Sequence, residues 1–174
     1  MNGERGSSSH LVFRVGTAHA ALPLSLVREV AECPPVIAVP GSHEHVAGVA
    51  LSRGLALPVY DLLRFAPLWR RGAGISRPAK GVVEQHLIVC GWGEVLLGVL
   101  GGQVDLLDGV GSDDGDPASG GGEMRADFLT GLVMRGGDAI SLLDPARLFS
   151  SLGVPAERTR SAREAAGEED PAGR

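Results

Sequence analysis

The sequence is short of aromatic residues, cysteines and long apolar runs, and each shortage argues against a class of protein. Aromatic residues make up 4% of the chain although 44% of it is hydrophobic, so the core must be mostly aliphatic, which favours strands. Cys33 and Cys90 form no C-x-x-C unit and are best interpreted as buried free thiols. No apolar run approaches the ~20 residues that span a bilayer, and residues 1–10 lack the apolar stretch of a secretory signal. We therefore expect a cytoplasmic protein.

Charge and motif content argue against nucleic-acid binding and against catalysis. The formal net charge is −5, whereas nucleic acids and anionic membranes attract a basic surface. The chain contains no phosphate-binding loop, no G-x-S-x-G elbow and no H-E-x-x-H motif. His43 and His45 have no evident third ligand, and the acidic run at 111–116 misses the spacing of a calcium loop. These features predict a non-enzymatic protein without metal or cofactor, whose partner is another protein.

Short apolar runs separated by glycine-containing turns follow one another from residue 10 to about residue 150. Ser52-Arg53-Gly54, Gly91-Trp92-Gly93-Glu94 and Arg135-Gly136-Gly137-Asp138 are hairpin signals. The segment 26–30 is compatible with a strand or with a helical turn. The predicted strands are the runs at 11–15, 20–24, 36–39, 46–51, 55–60, 86–90, 95–100, 104–110, 128–134 and 139–143.

An internal repeat relates the two halves of the chain. Val46-Ala47-Gly48-Val49 recurs as Leu129-Thr130-Gly131-Leu132, and an aspartate, Asp61 or Asp144, follows the glycine at the same interval. Each aspartate is preceded by an apolar strand and followed by a short amphipathic stretch. The halves therefore share a supersecondary plan.

The repeat predicts an all-β protein of two small five-stranded barrels, each ending in a helical turn. We place the first barrel at about 10–69 and the second at about 82–153, with a solvated connector between them. A single sandwich is the competing architecture. The tail at 1–9 has a composition typical of disorder, and so does 154–174, for which a solvated helix is the alternative. The loop at 111–122 has the composition of an exposed flexible loop.

Arg53 is a candidate binding residue because of its position. It lies in a glycine-supported turn between two apolar strands, where a guanidinium is presented to a carboxylate or a carbonyl. The alternative is a charged turn residue that keeps the loop soluble. The residues alone leave both hypotheses open.

The sequence around Arg53 resembles the CheW-like domain family. Leu51-Ser52-Arg53-Gly54 and Leu57-Pro58-Val59-Tyr60-Asp61-Leu62 are similar to the family's N-L-R-G and P-V-x-D-L signature. Ala21-Leu22-Pro23-Leu24 and Phe128-Leu129-Thr130-Gly131 resemble its opening and closing parts, so the resemblance covers about residues 11–150. It implies two SH3-like five-stranded β-barrels and a cytoplasmic adaptor at membrane-associated receptor arrays.

The resemblance also implies the partners and the binding residues. The partners are the cytoplasmic tip of a chemoreceptor, which is a methyl-accepting protein, and the regulatory domain of a CheA-type histidine kinase. Neither nucleic-acid binding nor direct membrane insertion is implied. We expect kinase binding on a surface distinct from the receptor surface. The implied receptor-binding residues are Arg53, Gly54, Val27, Glu29 and Gly48.

Two dipeptides depart from the family's pattern. Leu51-Ser52 stands where the family has Asn-Leu, and Gly101-Gly102 stands where it usually has Val-Asp. Glycine weakens a strand by roughly 0.5–1 kcal/mol relative to alanine, so we expect the second barrel to be loosened. The alternative functions are a small β-barrel enzyme or cofactor binder, and a decoy that binds a single partner of a chemosensory pathway.

Overall fold

The fold is built from short strands, with little helix. The computed structural model describes residues 8–65, 85–110 and 128–153. In the first half the elements are β1 Ser8–Val15, β2 Ala18–Pro23, a 3-10 turn at Leu24–Leu26, β3 Val27–Glu32, β4 Val46–Ser52, β5 Leu55–Tyr60 and helix α1 Leu62–Phe65. In the second half they are β6 His86–Trp92, β7 Val95–Gly101, β8 Val104–Val110, β9 Leu129–Arg135, β10 Asp138–Leu143 and helix α2 Pro145–Ser151. None of the helices in these ranges is long and apolar enough to cross a membrane.

The strands form two five-stranded sheets. Sheet I has the strand order β8-β1-β2-β10-β9, and sheet II has the order β3-β6-β7-β5-β4. The sequential hairpins are antiparallel, whereas β2 with β10 and β5 with β7 are parallel pairs. Strands β1 to β5 of the first half correspond in order to strands β6 to β10 of the second half. When each strand is exchanged for its counterpart, the order of sheet I becomes that of sheet II. The sequence repeat is therefore also a structural repeat.

The predicted all-β class with two five-stranded sheets is confirmed, but the strands are not divided between the sheets as predicted. The segments 10–69 and 82–153 do not each build a barrel of their own, because every sheet contains strands from both halves. The pairing in a hairpin such as β1–β2 is specified locally, by the short turn that joins the strands. The parallel pairs β2–β10 and β5–β7 cannot be specified in this way, because parallel neighbours cannot be joined by a tight turn.

Three local predictions also change. The run at 36–39 forms only an isolated bridge between Ile37 and Val49, because the flanking prolines have no N–H to donate to a ladder. Ser8 and Ser9 belong to β1 rather than to a disordered tail, and the Ser9 hydroxyl donates to Asp108 at 2.7 Å. The segment 26–30, which is compatible in sequence with a strand or a helical turn, contains the last residue of the 3-10 turn and the first four residues of β3. Residues 1–7, 66–84, 111–127 and 154–174, with the predicted connector, the 111–122 loop and the C-terminal tail, lie outside the described residues.

Three clusters of buried apolar side chains hold the sheets together. The largest lies between the sheets and includes Phe13, Ile88, Trp92 and Phe149. A second cluster belongs to sheet I and a third to sheet II. Strand β1 contributes Phe13 to the cluster between the sheets and the neighbouring Val12 to the cluster of sheet I. Strand β6 likewise contributes side chains to the cluster between the sheets and to the cluster of sheet II. Both strands are thus buried on their two faces, and the sheets share one core.

Two glycines have packing roles that the sequence did not reveal. Gly48 lies at a bulge of β4 with φ +150, and a Cβ there would collide with the backbone carbonyl of Ile37. A Cβ on Gly101 would lie 2.8 Å from Ile88 Cδ1 and 3.0 Å from Phe13 Cδ2. Side chains of the shared core therefore occupy the space that Gly101 leaves, which offsets the loosening expected there.

Replacing Gly48 with alanine should destabilise the fold by more than about 1 kcal/mol, because the methyl group meets the Ile37 carbonyl and the backbone conformation is unfavourable for alanine. The measurement is urea unfolding followed by far-ultraviolet circular dichroism. Gly41→Ala is the matched control, since Gly41 has φ +78 but nothing within 4 Å of its Cβ position. Equal losses in the two variants would show that the Ile37 contact is unimportant.

The two free thiols should differ sharply in reactivity. Full burial raises the pKa of Cys90 to about 12. Partial burial also raises the pKa of Cys33, whose Sγ lies 3.4 Å from the Pro34 carbonyl oxygen. Because the thiolate is the reactive form, Ellman's reagent at pH 8 should modify Cys33 slowly and Cys90 only after unfolding. Cys33→Ser should abolish labelling of the native protein; fast labelling of that variant would contradict the burial of Cys90.

Candidate partner-binding site

Arg53 and Gly54 form the two-residue turn between β4 and β5. Their φ angles are +47 and +80, and a type I′ turn requires positive φ at both central positions. Gly54 accepts this conformation freely. Arg53 is the sole non-glycine residue with positive φ in the described ranges, and a left-handed conformation costs an L-residue about 1–2 kcal/mol.

The guanidinium of Arg53 forms a two-bond ion pair with Glu29. Its Nε lies 2.8 Å from Oε2, and its Nη2 donates to Oε1 at 3.0 Å. Glu29 lies on β3 and Arg53 follows β4, so the pair joins the two edge strands of sheet II and holds the sheet curled. The Arg53 side chain is nevertheless 78% exposed. The pair therefore fixes the plane of the guanidinium and leaves much of it available to a partner.

A similar contact closes sheet I. Nη1 of Arg135 donates to the carbonyl of Leu106 at 2.7 Å and lies 4.0 Å from Oδ2 of Asp105. The contact again joins the two edge strands, here β9 and β8. The turn that follows Arg135 consists of Gly136 and Gly137, with φ +61 and +95. The repeat therefore builds the same turn without a strained arginine.

The structure brings together three of the five residues that the resemblance implied for receptor binding. Arg53, Gly54 and Glu29 lie at one end of sheet II. Val27 is half-buried at the start of β3 and packs against the shared core. Gly48 is buried under the backbone of Ile37, so its role is to permit that close approach.

Exposed apolar side chains surround the Arg53 turn and form a surface that was not predicted from the sequence. Leu51, which is 66% exposed, shares the outer face of β4 with Val49, and the bridge partner of Val49 is Ile37, which is 73% exposed. The available signal was the alternation along β4, where Ala50 between them is buried. We call this surface the β4 face. It consists of Ile37, Val49, Leu51, Ala56 and Pro58, which the cross-strand register places on one side.

A second apolar surface lies on the edge of sheet I. Leu132 and Met134 are the repeat counterparts of Val49 and Leu51, and Met134 is 64% exposed. The register places Ser141 opposite Leu132 and Ala139 opposite Met134. We call this surface, made of Leu132, Met134, Ala139 and Ser141, the β9 face. The two faces thus lie on different sheets.

His43 and His45 stack with an aromatic ring rather than gather around a metal position. Their rings are nearly parallel, with centroids 5.4 Å apart, and His45 also stacks on Tyr60 at 6.1 Å. Burial, and then the neighbouring His43, lowers the pKa of His45, although Glu44 acts in the opposite direction. Within the described ranges, no three potential ligand side chains lie together.

Comparison with known proteins gives a consistent relationship. Residues 9–153 match the CheW-like domain family. Protein FrzA from Myxococcus xanthus is 30% identical over 149 residues, which cover 84% of this chain and 88% of FrzA. The crystal structure of the scaffolding protein TtCheW from Thermoanaerobacter tengcongensis superposes with a TM-score of 0.62 at 17% identity, covering 82% of this chain and 88% of TtCheW.

These matches confirm the resemblance that began at the Arg53 turn, and the structural neighbour confirms the SH3-like fold. Proteins of this family are scaffolds without enzymatic activity, and the prediction that the chain is not an enzyme is confirmed by its membership. The chain belongs to the CheW-like domain family.

Proposed function

We propose that this protein is an adaptor that couples the cytoplasmic tip of a chemoreceptor to the regulatory domain of a CheA-type histidine kinase. It acts in the cytoplasm, at membrane-associated receptor arrays. Family membership supports a scaffold role. The main observation in favour of the receptor contact is that Arg53 adopts a strained conformation in its turn. The proposal assigns the receptor to the Arg53 end of sheet II and the kinase to the β9 face.

The backbone strain at Arg53 supports a binding role for its side chain. Strained residues persist where the surrounding structure or the function retains them, and they cluster at binding sites. Stability is a poor explanation here, because an exposed ion pair such as Arg53–Glu29 contributes at most about 1 kcal/mol, which does not exceed the cost of the conformation. The turn at Gly136 shows that this fold can close the same hairpin without strain.

The surroundings of Arg53 suit a receptor tip that offers both apolar side chains and a carboxylate or carbonyl. Leu51 and Leu55 flank the turn and are exposed. Interfaces place apolar contacts at their centre and are enriched in arginine, while polar groups form the rim. Because Glu29 already orients the guanidinium, little side-chain entropy remains to be lost when a partner binds.

The β9 face supports the second contact. It carries Leu132 and Met134 on an edge strand of sheet I, whereas Arg53 belongs to the β4–β5 hairpin of sheet II. A coupling protein has to hold two partners at once, so its two binding surfaces must be separate. We expect the kinase interface to be small, at roughly 1,200 Å² or less, and to depend on a few exposed apolar side chains.

Arg53→Gly should separate receptor binding from stability. The free energy of unfolding should stay within about 1 kcal/mol of the parent, because relief of the left-handed strain opposes the loss of the exposed ion pair and the added chain entropy. Affinity for a receptor cytoplasmic fragment should fall on the order of tenfold or more, since a charge-assisted hydrogen bond contributes roughly 1.5–3 kcal/mol. Urea unfolding and titration calorimetry measure the two quantities.

Two further variants sharpen this test. Arg53→Glu places a carboxylate beside Glu29 and should weaken receptor binding at least as much. Arg135→Gln removes the arginine that joins the edge strands of sheet I and should leave receptor binding unchanged. The assignment fails if folded Arg53→Gly and Arg53→Glu proteins bind the receptor fragment as tightly as the parent does.

Met134→Asp should weaken binding of the isolated kinase regulatory domain by about tenfold or more while receptor binding stays the same, because it buries a charge in an apolar contact. Ile37→Asp is the matched control, since it adds the same charge to the β4 face. If Ile37→Asp loses kinase binding and Met134→Asp retains it, the β9 face is not the kinase site. The titration should also be repeated with saturating receptor fragment. Displacement of the kinase domain would favour the single-partner decoy.

A further inference from the structure

A cleft of about 80 Å³ lies away from the Arg53 turn and from both apolar faces. It opens where the ends of the β1–β2 and β7–β8 turns meet the start of α1. Its polar side chains are Arg14, Asp61 and Gln85, and its apolar side chains are Val15, Leu63 and Leu100. The space is about that of two to three water molecules, which accommodates a carboxylate and the carbon that carries it.

The internal repeat shows how the corresponding place in the other half is filled. Val15 is the last residue of β1 before its turn, and Trp92 holds the same position on β6. Trp92 packs against Phe149 of α2, with ring centroids 5.6 Å apart. The smaller side chain of Val15 lines the cleft at the position that Trp92 occupies in the other half.

Arg14 brings a guanidinium into the cleft. Its backbone is fixed, because its N–H donates to the Gln103 carbonyl at 3.1 Å and its carbonyl accepts from Gly102 N–H at 2.8 Å. Among the described residues, no hydrogen bond or ion pair engages its side chain. A half-buried guanidinium without a partner is a ready donor for a carboxylate.

The other charged residue of the cleft does not neutralise Arg14. Oδ1 of Asp61 accepts the backbone N–H of Leu63 at 3.0 Å, and Oδ2 pairs with Nε of Arg64 at 3.0 Å. Among the described residues at the cleft, the charges of Arg14, Asp61 and Arg64 sum to one positive charge. The cleft therefore favours an anion, on a chain whose formal net charge is −5.

Gly102 keeps Arg14 available. A Cβ at this position would lie 3.3 Å from both Cβ and Nε of Arg14. The φ of Gly102 is outside the left-handed region, so the glycine is needed for space rather than for backbone conformation. An acidic side chain here would reach the guanidinium and occupy it from within the chain.

We propose that this cleft binds the carboxylate of an Asp or Glu side chain from a protein partner. Arg14 donates its N–H groups to the two carboxylate oxygens, and Val15, Leu63 and Leu100 contact the neighbouring apolar groups of the partner segment. The remainder of this acidic chain repels such a segment, so recognition depends on local contact at Arg14. This site is independent of the proposed receptor and kinase contacts.

The test is a nuclear magnetic resonance titration of the ¹⁵N-labelled full-length protein with acetyl-Leu-Asp-Leu-amide, with acetyl-Leu-Asn-Leu-amide as the neutral peptide. The aspartate peptide should give saturable shifts of the backbone amide signals of Arg14, Gly102 and Gln103, and the asparagine peptide should bind at least tenfold more weakly. Arg14→Gln should reduce affinity for the aspartate peptide at least tenfold. Gly102→Asp should do the same while keeping the arginine, and Arg135→Gln should change nothing.

Equal binding of the two peptides, or unchanged affinity of Arg14→Gln for the aspartate peptide, would overturn the proposal. Sodium acetate that competes as strongly as the aspartate peptide would show a site for free small anions and would equally overturn a peptide site. The amide spectrum of each unliganded variant reports whether it is folded. Gly102→Asp provides the test if Arg14→Gln does not fold.

Discussion

The burial of β1 and β6 on both faces is the constraint on which the rest of the structure depends. Phe13 and Ile88 enter the core between the sheets, while Val12 and Val89 enter the separate cores of sheet I and sheet II. Loss of β1 from sheet I or of β6 from sheet II would open two clusters of apolar side chains. The shared core thus fixes the position of surfaces that lie on different sheets. A scaffold needs this property, because it acts by holding partners in a set geometry.

The repeat preserves the framework and varies the surface. Both sheets are closed by an arginine that reaches the opposite edge strand, and both halves end in a helix that begins after an aspartate. The halves differ in a turn, where Arg53 stands in one and Gly136 in the other, and at a strand end, where Val15 stands in place of Trp92. Two faces of one duplicated plan have therefore acquired different chemistry, which suits a protein with two unlike partners.

Local features were predictable from the sequence, and non-local ones were not. The position of Asp144 before a short amphipathic stretch predicted a helical turn, and Asp144 accepts the N–H of Arg147 at 3.0 Å at the start of α2. The glycine-containing turns likewise predicted the hairpins. The parallel β2–β10 pairing joins distant segments, and no local pattern specifies it. For the same reason, the resemblance named Arg53 and Glu29 together, but their contact follows from the curl of sheet II, which brings its two edges close.

The two arginines at the proposed sites illustrate how the same side chain can be prepared in different ways. Arg53 is highly exposed, and Glu29 fixes its orientation and compensates its charge. Its contribution to binding therefore comes from the fixed orientation of the guanidinium. Arg14 is half-buried and has no partner among the described residues, so its value lies in uncompensated charge. Added salt should screen the exposed Arg53 contact more than one enclosed in the Arg14 cleft, because partly buried charges are screened less. Contacts at the two sites should therefore be distinguishable by their salt dependence, even when each involves one arginine and one carboxylate.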